Sequence, residues 1–444
     1  MAGNYEIAAD GTDVREELMM ALAEKHEVVL KEGVYLTGPV VIPSDARLVL
    51  EKGAVLRFIP DFTAYPPVFT RWEGVKCWAM HPCIYINEAV NVTITGEGTI
   101  DGSGKPWWDI VSDRRQRGIR EPQSELEKKF AQLNPDYRSQ PGGGGGRDYQ
   151  FMRPPLIQIK NSRNVVIEGV NIINSPFWTI HPLFSDNVVI RNVNIKNPYE
   201  APNTDGIDIE SSSAVKVLDS VVDVGDDGIA LKSGSGEDGI KDNIPTRDVV
   251  IRGCTVRSAH GGAVIGSETA AEISDLVVED CFFDGTDRGI RIKSRRTRGG
   301  LIHDIVFRRI RMKDNLCPFV INMYYRCGTD DMSLFSLDPL PVNSGTPRIY
   351  NVTIEDCHAE GSGASAGMVV GLPESPVGNL VIRNSYFGVS PDADRPVSES
   401  DMYNGLPDPP SRGFRIRNAE IRIDNLTVDS DEPKIIAENG VTLK

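Results

Sequence analysis

The chain has 444 residues, of which 40% are hydrophobic, and a formal net charge of -15. This length allows two or three ordinary domains, although repetitive all-β architectures of the same size also form one unit. The negative charge argues against nucleic acid or an anionic membrane as the main partner, and an acidic substrate would need a local cationic site. The 42 Gly, 29 Pro and an aromatic content of only 7% predict many short strands separated by turns.

The N-terminal sequence MAGNYEIAADGTDV lacks the apolar stretch of a signal peptide, and no later run is apolar enough for a membrane span. We therefore expect a cytoplasmic protein, or a periplasmic or secreted one if a signal peptide has been removed. Residues 13–25 predict a short amphipathic helix with Asp13 as its N-cap. Strand-like segments follow, so residues 1–60 are expected to form an N-terminal cap and the first strands.

One phrase recurs from residue 91 onward, beginning with Asn or Asp and continuing with β-branched residues at alternate positions. Its copies are NVTITGEGTI at 91, NVVIEGVNII at 164, NVVIRNVNIK at 187, DVVIRGCTV at 248, DLVVEDCFF at 275, DIVFRRIRM at 304, NVTIEDCHA at 351 and NLVIRNSYF at 379. Uninterrupted copies lie 23 to 29 residues apart, a period typical of solenoids. We therefore predict an all-β chain, a right-handed parallel β-helix forming a single domain over 1–444, in which the leading Asn or Asp closes a turn.

Three segments interrupt the repeat. Residues 105–153 predict a helix followed by a flexible glycine run, and this inserted loop is expected to shape the substrate groove. Residues 235–247 and 326–348 are smaller insertions.

The seven cysteines show no metal-ligand spacing. Cys254, Cys281 and Cys357 each lie six residues after a leading Asn or Asp, which favours buried thiols inside the repeat over disulfides.

A second repeat lies inside the first, as DGIDIES at 205, DGIALKS at 227, GGAVIGS at 261 and RGIRIKS at 288. Because strand side chains alternate, positions three and five should point into the coil and positions four and six outward. Equivalent residues on adjacent coils lie about 4.8 Å apart. The alignment therefore predicts one column with Asp205 and Asp227, and a neighbouring column with Asp226 and His260.

The same register predicts cations on this face. Arg291 and Lys293 should project outward, and the register carried back to SPFWTIHPL places His181 in the column of Glu210, Lys232 and Lys293. Carboxylates this close repel one another, so the pKa of at least one should rise, as general acid/base catalysis requires.

These acidic residues also have non-catalytic interpretations. Turn capping could explain Asp205, Asp226 and Asp227, and we favour an ordinary outer-surface role for Asp208, Glu210, Asp219 and Asp223. Calcium binding also competes, because carboxylate clusters bind Ca²⁺. The absence of a DxDxDG loop and the nearby cations disfavour it, so we predict no metal and no cofactor.

At these residues the sequence resembles the polygalacturonase family, glycoside hydrolase family 28, and the 105–153 insertion resembles that of its exo-acting bacterial type. The NTD, GDD, GHG and RIK segments of that family stand in order as Asn203-Thr204-Asp205, Gly225-Asp226-Asp227, Ala259-His260-Gly261 and Arg291-Ile292-Lys293. Ala259 in place of a glycine is a departure from the pattern. The resemblance covers most of the chain and implies the same right-handed parallel β-helix.

The resemblance implies a role for each motif. Asp226 would be the general acid, Asp205 and Asp227 would activate water, and His260 would tune the protonation of Asp226. Arg291 and Lys293 would bind a galacturonate carboxylate. The other expected substrate contacts are Asn203, His181, Lys232 and a late tyrosine, for which motif matching favours Tyr325 and the outward column favours Tyr324.

The implied activity is inverting hydrolysis of pectin, releasing α-1,4-linked galacturonic acid from the non-reducing end of galacturonides. The alternatives are hydrolysis of rhamnogalacturonan or unsaturated pectic oligomers, a pectate lyase, and a non-catalytic carbohydrate-binding β-helix. The expected partner is a pectic oligosaccharide or polysaccharide, without nucleic acid or membrane, and oligomeric state is left open.

Overall fold

The computed structural model describes residues 7–141 and 143–444. They divide into two compact units. The first unit contains the described residues up to Trp72, with Lys76–Gln140 and Gly144–Gly225; the second contains Glu73–Val75, the described residues of Pro141–Gly143, and Asp226–Lys444. The single domain over 1–444 stays a prediction.

The first unit consists mainly of short parallel strands in two sheets, A and B. Sheet A contains Glu27–Leu30, Gly33–Thr37, Arg47–Leu50, Ala54–Phe58, Val90–Gly96, Thr99–Asp101, Arg163–Glu168, Asn171–Ile173, Asp186–Arg191, Asn194–Lys196, Ser213–Leu218 and Val221–Asp223. Sheet B contains Val40–Val41, Ile84–Asn87, Ile157–Lys160, Ile180–Leu183 and Ile207–Glu210. Two further strands, Pro67–Trp72 and Val75–Met80, form a separate pair.

The second unit has the same organisation. Its sheet A strands are Arg247–Arg252, Thr255–Arg257, Glu272–Glu279, Phe282–Asp284, Leu301–Arg308, Arg311–Lys313, Arg348–Glu355, His358–Ser362, Val377–Val389, Ala419–Asp429 and Val441–Leu443. Its sheet B strands are Asp227–Lys232, Gly261–Ile265, Arg288–Lys293, Cys317–Asn322, Met368–Val370, Phe414–Arg417 and Ile435–Ala437.

The core of each unit is a stack of aliphatic side chains in register. In the first unit Val165 pairs with Val188 and Ile167 with Ile190, and all four are fully buried. In the second unit Ile265 pairs with Ile292 in the same way. A single coil cannot bury its apolar face alone, so each coil depends on its neighbours. The predicted parallel β-helical repeat is confirmed.

The leading Asn or Asp of the repeat has a structural role that differs from the predicted one. All eight leading residues adopt left-handed φ between 46° and 59°: Asn91, Asn164, Asn187, Asp248, Asp275, Asp304, Asn351 and Asn379. Asn and Asp tolerate this conformation better than other side chains. The amide of Asn164 donates to Asn91 Oδ1 at 3.0 Å, and that of Asn187 to Asn164 Oδ1 at 2.8 Å. These side chains therefore join successive coils.

Replacing Asn164 by Ala is expected to lower the free energy of unfolding by about 1–2 kcal/mol, because alanine lacks the polar side chain with which asparagine offsets the cost of a left-handed backbone. Asn164→Gly should cost less, because glycine adopts positive φ without strain even though the amide bonds are lost. Thermal or urea unfolding of the two variants measures the difference. Equal stability of the Ala and Gly variants would contradict a conformational role.

The predicted N-terminal helix exists but begins later than expected. It spans Arg15–Lys25 with Val14 at the N-cap, so the prediction of Asp13 as N-cap is wrong. Asp13 Oδ1 instead accepts from the backbone N–H groups of Arg15, at 2.9 Å, and Gly38, at 3.1 Å. It therefore ties the helix to the first strands.

The 105–153 insertion contains two helices where one was predicted, Lys105–Gln116 and Glu125–Leu133. Ser124 and Glu127 form a capping box at the start of the second, a signal that the sequence carries as S-x-x-E. The 235–247 insertion contains the helix Gly236–Asp242. Short 3-10 helices span Phe62–Ala64, Arg147–Tyr149, Met332–Phe335 and Val397–Ser400.

All seven cysteines, which lie within the described ranges, are free thiols. Cys254, Cys281 and Cys357 are buried, as the repeat predicted. In the described part of the chain, no helix is both long and apolar enough to cross a membrane.

Candidate active site

Asp227 is the centre of a buried charge cluster in the second unit. Its carboxylate is 1% exposed, with Oδ2 2.5 Å from Lys293 Nζ and Oδ1 3.3 Å from Arg291 Nη1. Burial opposes ionisation, but the charges of Lys293 and then Arg291 outweigh it and lower the pKa of Asp227. Asp227 is therefore an ionised carboxylate held by two cations.

Asp226 and His260 form a more accessible pair beside Asp227. Asp226 Oδ1 accepts from the backbone N–H of Asp227 at 2.9 Å and lies 3.2 Å from His260 Nδ1. The imidazole is 41% exposed and the Asp226 carboxylate 20%. Burial opposes the charged forms, yet His260 and Lys293 lower the pKa of Asp226, and Asp226 in turn raises the pKa of His260. The pair therefore favours carboxylate and imidazolium.

For Asp226 and Asp227 the pKa shifts have the opposite direction to the one that repulsion between carboxylates would give. Repulsion between carboxylates was expected to raise a pKa, but both Asp226 and Asp227 have lowered values. The repulsion between them is present and acts to raise the pKa of Asp227. The neighbouring cations outweigh it. The prediction considered only the carboxylates in the columns and left these cations out.

The pair predicts a pH dependence of stability. The raised pKa of His260 means that its contribution is complete below the unfolded value near 6.5 and is lost as pH rises through the folded value. The lowered pKa of Asp226 means that its contribution is complete above 3.8 and is lost as pH falls below it.

We therefore expect the pair to stabilise the protein most between these two values. In Asp226→Asn the imidazole NMR titration of His260 should move to lower pH, and the loss of stability above pH 6.5 should weaken. An unchanged His260 titration would contradict the coupling.

The strand register agrees with the predicted columns within the second unit. Asp227 pairs with Gly261, and Val264 with Arg291, as the aligned segments require. In the first unit Leu183 pairs with Glu210, so His181 lies opposite Asp208. The placement of His181 in the column of Glu210 is therefore wrong by two residues.

His181 belongs to a buried polar network of the first unit. Its Nε2 lies 3.0 Å from Glu210 Oε2, its Nδ1 lies 3.0 Å from Gln158 Nε2, and Arg71 Nη1 lies 3.3 Å from Glu210 Oε1. Asp208 and Glu210 are fully buried, so the expected outer-surface role is wrong for both. Asp219, with φ of 47°, is exposed as expected.

Arg291 is shared between two carboxylates. Besides Asp227, its Nη2 lies 2.7 Å from Oδ1 of Asp401, which is fully buried. Burial opposes ionisation of Asp401, but Arg291 and Arg288 outweigh it and lower its pKa. Sequence reasoning missed Asp401, because it lies 110 residues beyond Arg291 and outside every repeat or motif.

Tyr325 lies beside the predicted substrate-binding cations. Its ring centroid is 5.4 Å from both Arg291 Cζ and Lys293 Nζ. The Tyr324 hydroxyl instead donates to Ser336 O at 3.3 Å. The motif match to Tyr325 is thus the better one, since the strand ends at Asn322 and alternation no longer applies beyond it.

Lys232 is engaged in an internal ion pair. Its ammonium lies 2.9 Å from Glu268 Oε2, and Arg298 Nη1 lies 3.8 Å from Glu268 Oε1. Burial opposes ionisation of Glu268, but Lys232 and Arg298 lower its pKa to about 2. The ammonium of Lys232 is therefore committed to Glu268, and its contact with substrate stays a prediction.

The basic run RIKSRRTRGG contains three further arginines after Arg291. Arg295, Arg296 and Arg298 are all buried. Arg296 forms a bidentate pair with Glu374 at 2.6 and 2.9 Å and also donates to Leu334 O at 2.7 Å. The run anchors the 326–348 insertion.

The NTD segment is held by the 105–153 insertion within the first unit. Asn203, with φ of 54°, accepts at Oδ1 from Arg115 Nη2 at 2.6 Å and Arg153 Nη2 at 3.0 Å. Asp205 is 3% exposed, and its backbone O accepts from Thr179 N at 2.9 Å. The insertion therefore fixes the backbone that carries Asp205.

Comparison with known proteins first defines the class. The hyperthermoactive exopolygalacturonase from Thermotoga maritima is 26% identical, with a TM-score of 0.75 over 96% of this chain and 90% of that one. A polygalacturonase from Erwinia carotovora, 23% identical, has a TM-score of 0.66 over 98% of this chain and 95% of its own. The fold is thus the predicted right-handed parallel β-helix.

The family follows from sequence. The model of the glycosyl hydrolases family 28 matches residues 143–333. A probable polygalacturonase from Vitis vinifera is 30% identical over 365 residues, 81% of this chain and 66% of that protein. An exo-poly-alpha-D-galacturonosidase from Dickeya chrysanthemi is 29% identical over 79% of this chain and 61% of its own. The chain belongs to glycoside hydrolase family 28, and it spans just under two thirds of these two relatives.

Proposed function

We propose that the protein hydrolyses α-1,4-linked galacturonides with inversion, releasing galacturonic acid from the non-reducing end. The observation that carries the proposal is the buried cluster of Asp227 with Lys293 and Arg291, next to the accessible Asp226–His260 pair. It combines carboxylates for acid/base chemistry with cations for an anionic sugar. A protein of net charge -15 needs such a local site to bind galacturonate.

In this proposal Asp226 protonates the leaving glycosidic oxygen, while Asp227 and Asp205 activate the attacking water. The role of Asp205 rests on the family's NTD segment. Asp226 must be protonated to act, although His260 and Lys293 lower its pKa. A substrate carboxylate bound to the cations would offset their charge and raise the pKa of Asp226. Substrate binding would thus favour the protonated form of Asp226 that the general acid requires.

Lys293 is the proposed main contact for the substrate carboxylate. One of its three ammonium donors is used by Asp227, and the ring of Tyr325 lies 5.4 Å from the ammonium. Arg291 is 2% exposed and already shared between two carboxylates, so its contribution is mainly through charge. Lys232 and His181 are better assigned to internal networks than to substrate.

The exo mode is supported by two observations. The Dickeya and Thermotoga proteins bear exo-acting names. In addition, the 105–153 insertion contains two helices and contacts Asn203 of the NTD segment, which supports a role for it in restricting access of substrate. An endo-polygalacturonase from Pectobacterium carotovorum is also 29% identical, over 66% of each chain, so the product pattern must decide.

The test is product analysis on saturated and unsaturated oligogalacturonides of defined length and on polygalacturonate. We expect galacturonic acid to accumulate from the start, with NMR showing the inverted anomer first and EDTA without effect. Mixed oligomers with little monomer would overturn the exo mode, and a retained anomer would overturn inversion. A calcium-dependent, ultraviolet-absorbing product would indicate a lyase, and no cleavage would indicate a binding protein.

A further inference from the structure

We propose that Asp401 is a positioning residue for Arg291, and that the segment 397–404 holds the Asp401 carboxylate against the Arg291 guanidinium. The proposal rests on the proposed function, because it assigns a catalytic purpose to the charge balance around Asp226 and Asp227. Nothing in the four family motifs marks this segment.

The segment 397–404 is fastened to the strands that carry the site. Arg288 donates from Nε to Ser400 O at 2.7 Å and from Nη2 to Glu399 O at 2.8 Å. Asn322 donates to Met402 O at 3.1 Å. On the far side the backbone N–H of Asn404 donates to Tyr324 O at 3.2 Å. These bonds flank Asp401 on both sides and fix its backbone.

The Asp401 carboxylate is fully buried, and both of its oxygens are used. Oδ1 accepts from Arg291 Nη2 at 2.7 Å, and Oδ2 accepts from Asn322 Nδ2 at 2.9 Å. Arg288 Nε lies 3.7 Å from Oδ1. A buried carboxylate is costly unless it is paired and hydrogen-bonded, so this one is built to hold Arg291.

Asp401 changes how Arg291 meets Asp227. A guanidinium and a carboxylate in isolation favour a bidentate pair with two parallel bonds. Here Nη2 belongs to Asp401, and only Nη1 reaches Asp227, at the longer distance of 3.3 Å. Lys293, at 2.5 Å, is left as the closest cation to Asp227. Asp401 therefore prevents Arg291 from forming a bidentate pair with the Asp227 carboxylate.

The charge of Asp401 also matters. Arg291 faces Asp227, Asp401 and Tyr325, and its charge acts to lower the pKa of His260, while Lys293 acts on Asp226 in the same direction. A negative Asp401 offsets Arg291, which leaves the field around Asp226 less positive. Without that charge the pKa of Asp226 should fall further, and a general acid with a lower pKa is deprotonated at lower pH.

The test is Asp401→Asn, which keeps the size and an acceptor for Arg291 but removes the charge. On digalacturonate we expect kcat to fall at least about tenfold, KM to change little, and the alkaline limb of the kcat/KM profile to move to lower pH. Asp408→Asn, an exposed change in the same loop, should leave all three unchanged. An unchanged alkaline limb, or a loss confined to KM, would overturn the proposal.

Two further measurements separate the possible failures. If Asp401 acts through Arg291, the effects of Asp401→Asn and Arg291→Lys should be non-additive, and additive effects would overturn the proposal. The NMR titration of His260 should move to lower pH in Asp401→Asn, and this readout needs no substrate. Wild-type protein inactive on all galacturonides refutes the proposed function, whereas an unmoved His260 titration refutes the role of Asp401.

Should Asp401→Asn not fold, Asp401→Glu tests the positioning role alone, because it retains the charge and changes the length of the side chain. We expect a lower kcat, because the longer side chain misplaces Arg291, together with a wild-type alkaline limb. A wild-type kcat in Asp401→Glu would overturn the positioning role.

Discussion

Asp226→Asn is expected to reduce the rate of galacturonide hydrolysis by about 10²- to 10⁴-fold, the range that one positioned proton donor contributes. The amide has nearly the same shape as the carboxyl group and can still accept the 2.9 Å bond from the backbone N–H of Asp227. What it loses is the proton that the leaving oxygen requires. The effect should therefore appear in kcat, with the protein folded and substrate binding largely retained.

Initial rates on a defined oligogalacturonide, with far-ultraviolet circular dichroism as a folding check, measure this loss. The matched control is Asp219→Asn, the same chemical change at an exposed residue whose left-handed φ of 47° Asn tolerates. Its rate should equal wild type. A rate for Asp226→Asn within tenfold of wild type would remove Asp226 from the role of general acid.

The repeat made the coil register predictable for this site. Gly261 opposite Asp227 and Arg291 opposite Val264 follow from gapless alignment of segments one coil apart. The predicted column of His181 was wrong because SPFWTIHPL shares too few residues with those segments to fix the register. The network with Glu210 and Arg71 forms through long side chains, which reach beyond the strand pairing.

Side-chain partners that come from non-repeating segments could not be predicted from the sequence, and the reason is physical. Asp401 meets Arg291, and Glu374 meets Arg296, only because loops outside the repeat return to these strands. No period or motif encodes such a return. The same limitation explains why the lowered pKa values of Asp226 and Asp227 were not foreseen, since the sign of a shift depends on every nearby charge.

Glu268→Gln is expected to lower the free energy of unfolding by about 3–5 kcal/mol, the cost of removing one partner from a buried ion pair. The change leaves the ammonium of Lys232 and the guanidinium of Arg298 buried without the carboxylate that compensates them. Both cations are at most 4% exposed, so water cannot replace the lost charge. Urea unfolding at pH 7 measures the difference.

Glu168→Gln is the matched control, because Glu168 pairs with Arg191 on the surface, at 35% and 47% exposure. Surface pairs contribute about 0–1 kcal/mol. The pH dependence gives an independent check. The lowered pKa of Glu268 means that its stabilisation is complete above 4.5 and is lost as pH falls towards about 2. The difference in free energy of unfolding between wild type and Glu268→Gln should therefore disappear over that range. A constant difference would show that the loss of stability comes from packing instead of charge.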